Sequence, residues 1–397
     1  MKKAFRFWLG SRFFVSTAKQ IQSTAVAWQV FQLTNDPLAV GMLGLVWAVP
    51  FSGIALWAGH LVDQHEKRQF MVRAEIGFLF CAAALMVNSL FPRPSLLFVY
   101  GVVAFSGVCS SFEAISFSAY AQLLIPKEQF PRAMGWNLGF FQAAVVLGPL
   151  LAGFLLTHVA ANVIFGLVMG LVVVSLLLAM RLAPIHATLS APGAPGGSGI
   201  ERIKAGLRFI RSQPLMLAAM SLDMVAVLFG DVVALYPFFA AHLGAGALGF
   251  GFLKAAHGIG SGLISAVQAY RPFVRPSWLS LRIVVLIFGF CILFFAVSTN
   301  IYLAVFFLAV GGAADGISVI VRQSIYQALT PNAFRGRVAA VSSIFIATSN
   351  EIGEFESGLA ARLIGVVPSI LVGGTICIAS VGIMTRVFRS KIGGGRV

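Results

Sequence analysis

The residues with the clearest chemical potential are charged groups embedded in long apolar runs. Arg12, Ser16, Lys19 and Ser23 follow one another at steps of four, three and four, which places them on one face of a helix. Lys19 then lies two turns, or about 10 Å, deeper than Arg12. A charge near the bilayer centre costs about 3 kcal/mol to insert, so such groups usually face a cavity or a partner. Glu113, in a later apolar run, can pair with either base.

The second half of the chain holds a larger set of ionisable residues in apolar runs: Asp223, Asp231, Lys254, His257, Asp315, Arg322, Glu351, Glu354 and Glu356. Two interpretations stay open. Either one or more carboxyls binds a proton on one side of the membrane and releases it on the other, or the carboxyls are permanent partners of Lys254, Arg322 and Arg362. The candidates for proton coupling are Asp223, Asp231, Glu351 and Glu354.

His257 offers a different chemistry. Beside Asp231 and Glu354, its imidazole would complete a set of nitrogen and oxygen ligands for a divalent metal. A single histidine in an apolar helix is more often a hydrogen-bonded core residue. The metal site is therefore the alternative, and the main prediction includes neither a metal nor a cofactor.

The composition is that of a protein embedded in a lipid bilayer. Of the 397 residues, 59% are hydrophobic and 10% are charged, and the mean hydropathy is +0.92. The net charge of +15 is spread between apolar runs and forms no stripe on a polar domain, so we expect no nucleic-acid partner.

Twelve apolar stretches are long enough to cross a membrane. They are Phe7–Phe31, Leu38–Ala58, Phe70–Leu90, Leu96–Ile115, Met134–His158, Val163–Met180, Leu215–Ala240, Leu248–Val267, Leu279–Val297, Tyr302–Val321, Val338–Ala361 and Pro368–Val387. Bases concentrate in alternate loops and at both termini, while the remaining loops contain one base, Arg93. Because cytoplasmic loops are rich in Lys and Arg, we expect both termini to face the cytoplasm of a bacterial inner membrane.

An internal repeat divides the chain. Pro126 and Arg132 are matched by Pro331 and Arg337, and Gly148 and Gly153 by Gly353 and Gly358, each pair 205 positions apart. This predicts two six-helix halves, residues 1–182 and 214–397, related by pseudo-symmetry. The polar linker 183–213 contains a stretch with Ile203, Leu207 and Ile210 at helical spacing and bases between them. We expect an amphipathic helix on an anionic membrane surface.

The loop between the second and third spans carries a recognisable pattern. Gly59, Asp63, Lys67 and Arg68 are expected to give a close helix approach, a helix cap and a basic anchor at the cytoplasmic surface. The pattern resembles the loop signature of the major facilitator superfamily, with Gln64 and Glu66 in place of a base and a glycine. That resemblance implies a gating role for the loop.

The fifth span carries a second pattern around Gly148, Pro149 and Gly153. It resembles the antiporter motif of the same superfamily, with alanine at Ala144 and Ala152 where the motif has glycine, and implies export by exchange. Tight helix packing by small residues is the alternative. Within the superfamily, Trp28–Ala39, Arg335–Val338 and Ser349–Gly358 resemble the bacterial branch that includes the enterobactin exporters.

Taken with the resemblance, these residues predict a major facilitator fold that exports a small organic solute, of siderophore or drug type, in exchange for protons. The resemblance places spans 1, 4, 7 and 10 around a central cavity lined by Arg12, Lys19, Glu113 and Asp315. We expect a monomer that is not an enzyme and is not driven by ATP, since no G-x-x-x-x-G-K-[ST] loop occurs. The alternatives are a divalent-metal exporter, a lysolipid transporter and a non-transporting membrane sensor.

Overall fold

The computed structural model describes residues 3–185, 199–271, 273–331 and 334–388, and these residues contain helices and no β-strand. The helices are α1 (Lys3–Thr34), α2 (Pro37–Gln64), α3 (Lys67–Leu90), α4 (Leu96–Leu124), α5 (Phe130–His158), α6 (Ala161–Met180), α7 (Gly199–Ser212), α8 (Pro214–Gly230), α9 (Tyr236–His242), α10 (Gly246–Tyr270), α11 (Trp278–Ala296), α12 (Ile301–Leu329), α13 (Arg335–Ile364) and α14 (Val366–Phe388). The predicted all-α membrane fold with twelve crossings is confirmed. Residues 186–198 of the predicted linker lie outside the described residues.

Three of the twelve crossings are unusually polar. Within the described ranges, nine segments are long and apolar enough to cross a membrane on composition alone. The other three crossings are α1, α10 and α13, which carry Arg12 and Lys19, His257, and Glu351 and Glu354. Because lipid cannot solvate these side chains, part of each of these helices must face protein or water.

The seventh crossing is broken. α8 ends just before Asp231, and the chain passes through a short 3₁₀ turn, Val233–Leu235, before α9 begins. The Asp231 carboxylate accepts a hydrogen bond from the Val233 amide at 3.1 Å, which satisfies a backbone group that the break leaves free. Pro237 lies in the first turn of α9, where its missing amide hydrogen costs nothing. The span predicted as one helix over Leu215–Ala240 is thus two helices.

Helix contacts divide the chain into two compact units. Unit 1 comprises Met1–Asn35, Leu43–Ala194 and Gly246–Ala255, and unit 2 comprises Asp36–Met42, Pro195–Ala245 and Ala256–Val397. In unit 1, α1 packs against α5 and α6, and α3 packs against α4 and α6. In unit 2, α8 packs against α13 and α14, and α11 packs against α12 and α14. These are the same four contacts between corresponding helices, as expected of a duplicated six-helix bundle.

The first pair of repeated glycines sits at matching helix contacts. In unit 1, a Cβ atom at Gly148 on α5 would collide with Gln20 on α1. In unit 2, a Cβ atom at Gly353 on α13 would lie 3.0 Å from the Val227 carbonyl oxygen on α8. Both glycines therefore let the backbone of one helix lie directly against another.

The second pair of repeated glycines behaves in the same way. A Cβ atom at Gly153 would lie 2.8 Å from the Cα of Gly251 on α10, within unit 1. A Cβ atom at Gly358 would lie 3.1 Å from the Cα of Gly41 on α2, within unit 2. All four glycines of the predicted repeat thus lie at close helix contacts.

α7 is amphipathic, as the sequence predicts, but its apolar face packs on protein. Ile210 is buried in the core of unit 2, and the Phe209 ring stacks on Phe334 with 4.9 Å between centroids. A Cβ atom at Gly206 would lie 2.7 Å from the Arg337 carbonyl oxygen, so α7 rests directly on the start of α13. The predicted contact of this face with lipid is wrong, because α13 covers it. Among the α7 side chains that the structure describes, the exposed bases are Lys204, Arg208 and Arg211.

The glycine contacts give a direct test of packing. Gly153→Val is expected to destabilise the protein by about 1–3 kcal/mol, because the added methyl groups have no room between α5 and α10. The control is Gly139→Val on the same helix, where an added Cβ meets no described atom within 4 Å. Thermal unfolding in detergent compares the two variants, and equal midpoints would contradict the packing role of Gly153.

Candidate functional site

A three-residue ion-pair group forms the polar centre of unit 1. Lys19 donates from Nζ to Oε2 of Glu113 at 2.7 Å, and the Arg12 guanidinium donates to Oε1 of the same carboxylate. The glutamate side chain is 1% exposed, whereas Arg12 is 21% and Lys19 30% exposed. The sequence predicted a pair with either base, and the structure gives Glu113 both. One buried carboxylate thus holds two cations whose outer surfaces stay accessible.

Aromatic rings surround these cations. The Arg12 guanidinium lies 5.2 Å from the centroid of Phe117 and 5.9 Å from that of Phe141. The Lys19 ammonium lies 4.7 Å from the centroid of Phe78. Cation–π contacts at these distances stabilise a charge that is partly removed from water. The cluster therefore combines one net positive charge with aromatic rings, of which Phe141 is exposed and Phe78 and Phe117 are buried.

A second ionisable cluster lies in unit 2, where α10 and α12 approach closely. His257 Nε2 and Asp315 Oδ2 are 3.3 Å apart, with side chains 37% and 29% exposed. A Cβ atom at Gly312 would collide with the His257 carbonyl oxygen, so the missing side chain allows the close approach. The sequence placed Asp315 in the cavity but did not identify His257 as its partner.

Asp231 belongs to the same cluster. Its position at the break between α8 and α9 brings its carboxylate within electrostatic reach of both His257 and Asp315. Tyr236, at the start of α9, lies within electrostatic reach of Asp231 and of Glu354 of α13. Glu351 lies one turn before Glu354, and both are partly exposed. Four helices of unit 2 thus contribute titratable groups to one region.

Asp223 differs from the other coupling candidates. Its carboxylate forms an ion pair with Arg322, and the two side chains are 9% and 4% exposed. A buried pair in direct contact favours the interpretation of Asp223 as a permanent partner. The broken helix explains why Asp223 and Asp231, predicted on one face, have different surroundings.

The other two bases proposed as permanent partners have contacts outside the set of candidate carboxyls. Arg362 approaches Asp36 at 3.4 Å, a carboxylate that the sequence analysis did not single out. Lys254 donates to the Ser23 hydroxyl at 3.0 Å, within unit 1.

The alternative prediction for this region was a site for a divalent metal. In the described residues, no group of three or more His, Cys, Asp or Glu side chains is arranged to hold a metal ion, so the set His257, Asp231 and Glu354 gains no support as a metal site.

The residues of the loop pattern between α2 and α3 make contacts that differ from those predicted. A Cβ atom at Gly59 would meet no described atom within 4 Å, so Gly59 makes no close helix approach. Lys67 is buried and donates to the carbonyl oxygens of Asp63 at 2.8 Å and His65 at 3.2 Å. It therefore satisfies carbonyls left free at the end of α2, instead of reaching a membrane surface. Arg68 is partly exposed beside it, and Asp63 contributes its backbone and not a side-chain cap.

The sequence analysis missed Glu75. This α3 residue is fully buried, and its Oε1 atom accepts hydrogen bonds from Ser11 Oγ at 3.0 Å and Ser175 Oγ at 2.8 Å. Its position inside the predicted span Phe70–Leu90 could have identified it, because a carboxyl in a spanning helix is rare and usually has a structural or functional role.

The sequence is similar to that of known membrane transporters over most of its length. The family model of the Major Facilitator Superfamily matches residues 8–353. Enterobactin exporter EntS of Escherichia coli O1:K1 is 26% identical over 358 residues, covering 88% of this chain and 83% of that protein. The exporter of the same name from Citrobacter koseri is 27% identical over 357 residues, with the same coverage.

Solved structures show the same fold at low identity. A bacterial homologue of the human lysosomal transporter Spinster, in an inward-facing and unoccupied conformation, superposes with a TM-score of 0.73 at 12% identity and 98% coverage of both chains. The human organic anion transporter MFSD10 gives a TM-score of 0.67 at 13% identity, covering 97% of this chain and all of that one (100%).

The buried pair in unit 2 can be tested by charge removal. Asp223→Asn is expected to destabilise the protein by about 3–5 kcal/mol, because Arg322 would remain buried without a counter-ion. Replacing both residues, with Asp223→Leu and Arg322→Met, should recover most of that loss. Thermal unfolding in detergent measures both.

The control for this test is Arg362→Gln. Arg362 is 56% exposed, so its pair with Asp36 should contribute less than about 1 kcal/mol. If Asp223→Asn is no more harmful than this control, the pair has no structural role.

Proposed function

This chain belongs to the Major Facilitator Superfamily of membrane transporters, and we propose that it exports a small organic anion with aromatic character in exchange for protons. The relatives named as enterobactin exporters support the direction and a siderophore-like solute. The observation that carries the proposal is the partly exposed pair of cations on one buried carboxylate in unit 1.

The ion-pair group suits reversible binding of an anion. Glu113 neutralises one of the two charges, so Arg12 and Lys19 together keep one net positive charge at an accessible surface. A solute anion must compete with Glu113 for the N–H donors of Arg12 and Lys19. An unpaired cation would hold the anion more tightly and slow its release. Of the three rings beside the cations, Phe78 and Phe117 are buried, whereas Phe141 is exposed and offers flat apolar surface for an aromatic solute.

The cluster in unit 2 is the proposed proton site. Asp231, His257 and Asp315 combine two carboxyls with an imidazole, and the side chains of His257 and Asp315 are accessible enough to exchange protons with water. A break in a spanning helix at such a site is common in transporters, because freed backbone groups can take part in binding. Glu351 and Glu354 on α13 are further candidates.

In the proposed cycle, each of the two sites is accessible first from one side of the membrane and then from the other. Solute binds from the cytoplasm and leaves on the outside, and protons then enter on the return step. This direction assumes that both termini face the cytoplasm, as the distribution of basic loops predicts. The protein would act as a monomer, without a cofactor.

Proton coupling can be measured in proteoliposomes. With enterobactin as the probe solute, the wild type should show solute-dependent proton flux, and Asp231→Asn, Asp315→Asn and Glu354→Gln should each reduce it at least tenfold if the residue carries the proton. The matched control, Glu128→Gln, removes an exposed carboxyl and should leave the flux unchanged. Unchanged flux in all three site variants, or flux driven instead by lysophosphatidylcholine, would overturn the proposal.

Solute binding gives a separate test. Lys19→Gln should weaken enterobactin binding about ten- to a hundredfold, since a hydrogen bond to a charged group contributes about 1.5–3 kcal/mol. Glu113→Gln should bind the anion at least as tightly as the wild type, because it removes the competing carboxylate. Lys3→Gln, at an exposed position of the same helix, is the control. Weaker binding in Glu113→Gln would contradict the competition between carboxylate and solute.

A further inference from the structure

Glu75 is the one fully buried carboxyl that the proposed cycle does not use, among the residues that the structure describes. It lies eight residues into α3, about 12 Å from the start of that helix. Its Oε1 atom accepts hydrogen bonds from Ser11 of α1 and Ser175 of α6. Its Oε2 atom is also buried and has no hydrogen-bond partner. Three helices of unit 1 thus enclose this carboxyl completely.

The surroundings of Glu75 favour the neutral acid. None of the ion pairs among the described residues includes Glu75, and its two partners are neutral hydroxyls. Each serine has one proton to donate, and Ser175 also lies 2.9 Å from the Ser11 carbonyl oxygen, which competes for its proton. A buried charge without a cation costs far more than a buried O–H group without an acceptor.

The charged groups that face Glu75 belong to the solute site. Glu113 of α4 is within electrostatic reach, and it binds Arg12 and Lys19 of α1. Ser11 precedes Arg12 in the chain, so the hydrogen bond to Glu75 fixes α1 beside the guanidinium. The third neighbour, α6, contributes Ser175 and contains no titratable residue.

We propose that Glu75 holds a proton at neutral pH and that this proton sets the positive charge of the Arg12–Lys19–Glu113 site. With Glu75 neutral, the four side chains carry one net positive charge and attract an anion. With Glu75 ionised, they carry none, and the anion loses its electrostatic support. The inference deepens the proposed function, because it assigns the anion selectivity of the site to a residue that does not touch the solute.

Infrared spectroscopy tests the first step without any transport. The reconstituted wild type should show the C=O stretching band of a protonated carboxylic acid, and Glu75→Gln should lose it. Glu128→Gln, which removes an exposed carboxyl, should retain the band. Should Glu75→Gln fail to fold, Ser175→Ala provides the assignment, because the loss of a hydrogen bond to the carbonyl oxygen shifts the band. A wild type with neither a band lost in Glu75→Gln nor one shifted in Ser175→Ala would overturn the inference.

The second step is tested with naphthalene-2-sulfonate, an aromatic anion whose charge does not change with pH. Calorimetry on the wild type should show weaker binding as the pH rises and Glu75 loses its proton. Glu75→Gln mimics the protonated form and should bind about equally well across the same range. The same pH dependence in both proteins would show that Glu75 does not set the charge of the site, whereas no binding to either would overturn the anion site of the proposed function and this inference with it. Proton flux enters neither measurement, so these outcomes are separate from those of the coupling experiment.

Discussion

The constraint on which this structure depends is the cost of a charge in a medium that cannot solvate it. Each ionised side chain in a spanning helix needs a counter-charge, a hydrogen-bonding partner or access to water. Glu113 meets this need with two cations, and Arg322 meets it with Asp223. The polar helices α1, α10 and α13 are stable in a membrane only because other helices contribute such partners. The partners therefore fix how these helices are rotated within their bundles.

Exposure separates the charges that can change partners from those that cannot. Arg322 and Asp223 are almost completely buried together, so separating them would leave two bare charges and no water to replace either. Lys19 and His257 keep about a third of their side-chain surface accessible, so water or a solute can take the place of the present partner. The same kind of ion pair is thus structural in one place and adjustable in another.

Much of the fold was predictable because it depends on local sequence. The length of apolar runs gives the crossings, and the spacing of glycines gives the repeat. Partner choice was harder, because it depends on packing between distant segments. Glu113 was matched correctly to Arg12 and Lys19, whereas Asp315 meets His257 only because Gly312 lets α12 approach α10. The docking of α7 on α13 depends in the same way on Gly206, whose role is visible only with its neighbour in place.

The repeat shows how one packing scheme supports two kinds of chemistry. Gly148 and Gly353 lie at corresponding helix contacts, as do Gly153 and Gly358, so a side chain at any of them would disturb its bundle. All four positions between these glycines differ in the two units, and at the first of them Pro149 of α5 corresponds to Glu354 of α13. In unit 1 the Pro149 carbonyl oxygen would lie 2.6 Å from a Cβ atom at Gly251, so the position is part of a close helix contact. In unit 2 the carboxyl lies within electrostatic reach of Tyr236, which follows Asp231 at the start of α9. Because glycines make the close helix contacts in both units, the position between them can hold a proline in one unit and a carboxyl in the other without a change of packing scheme.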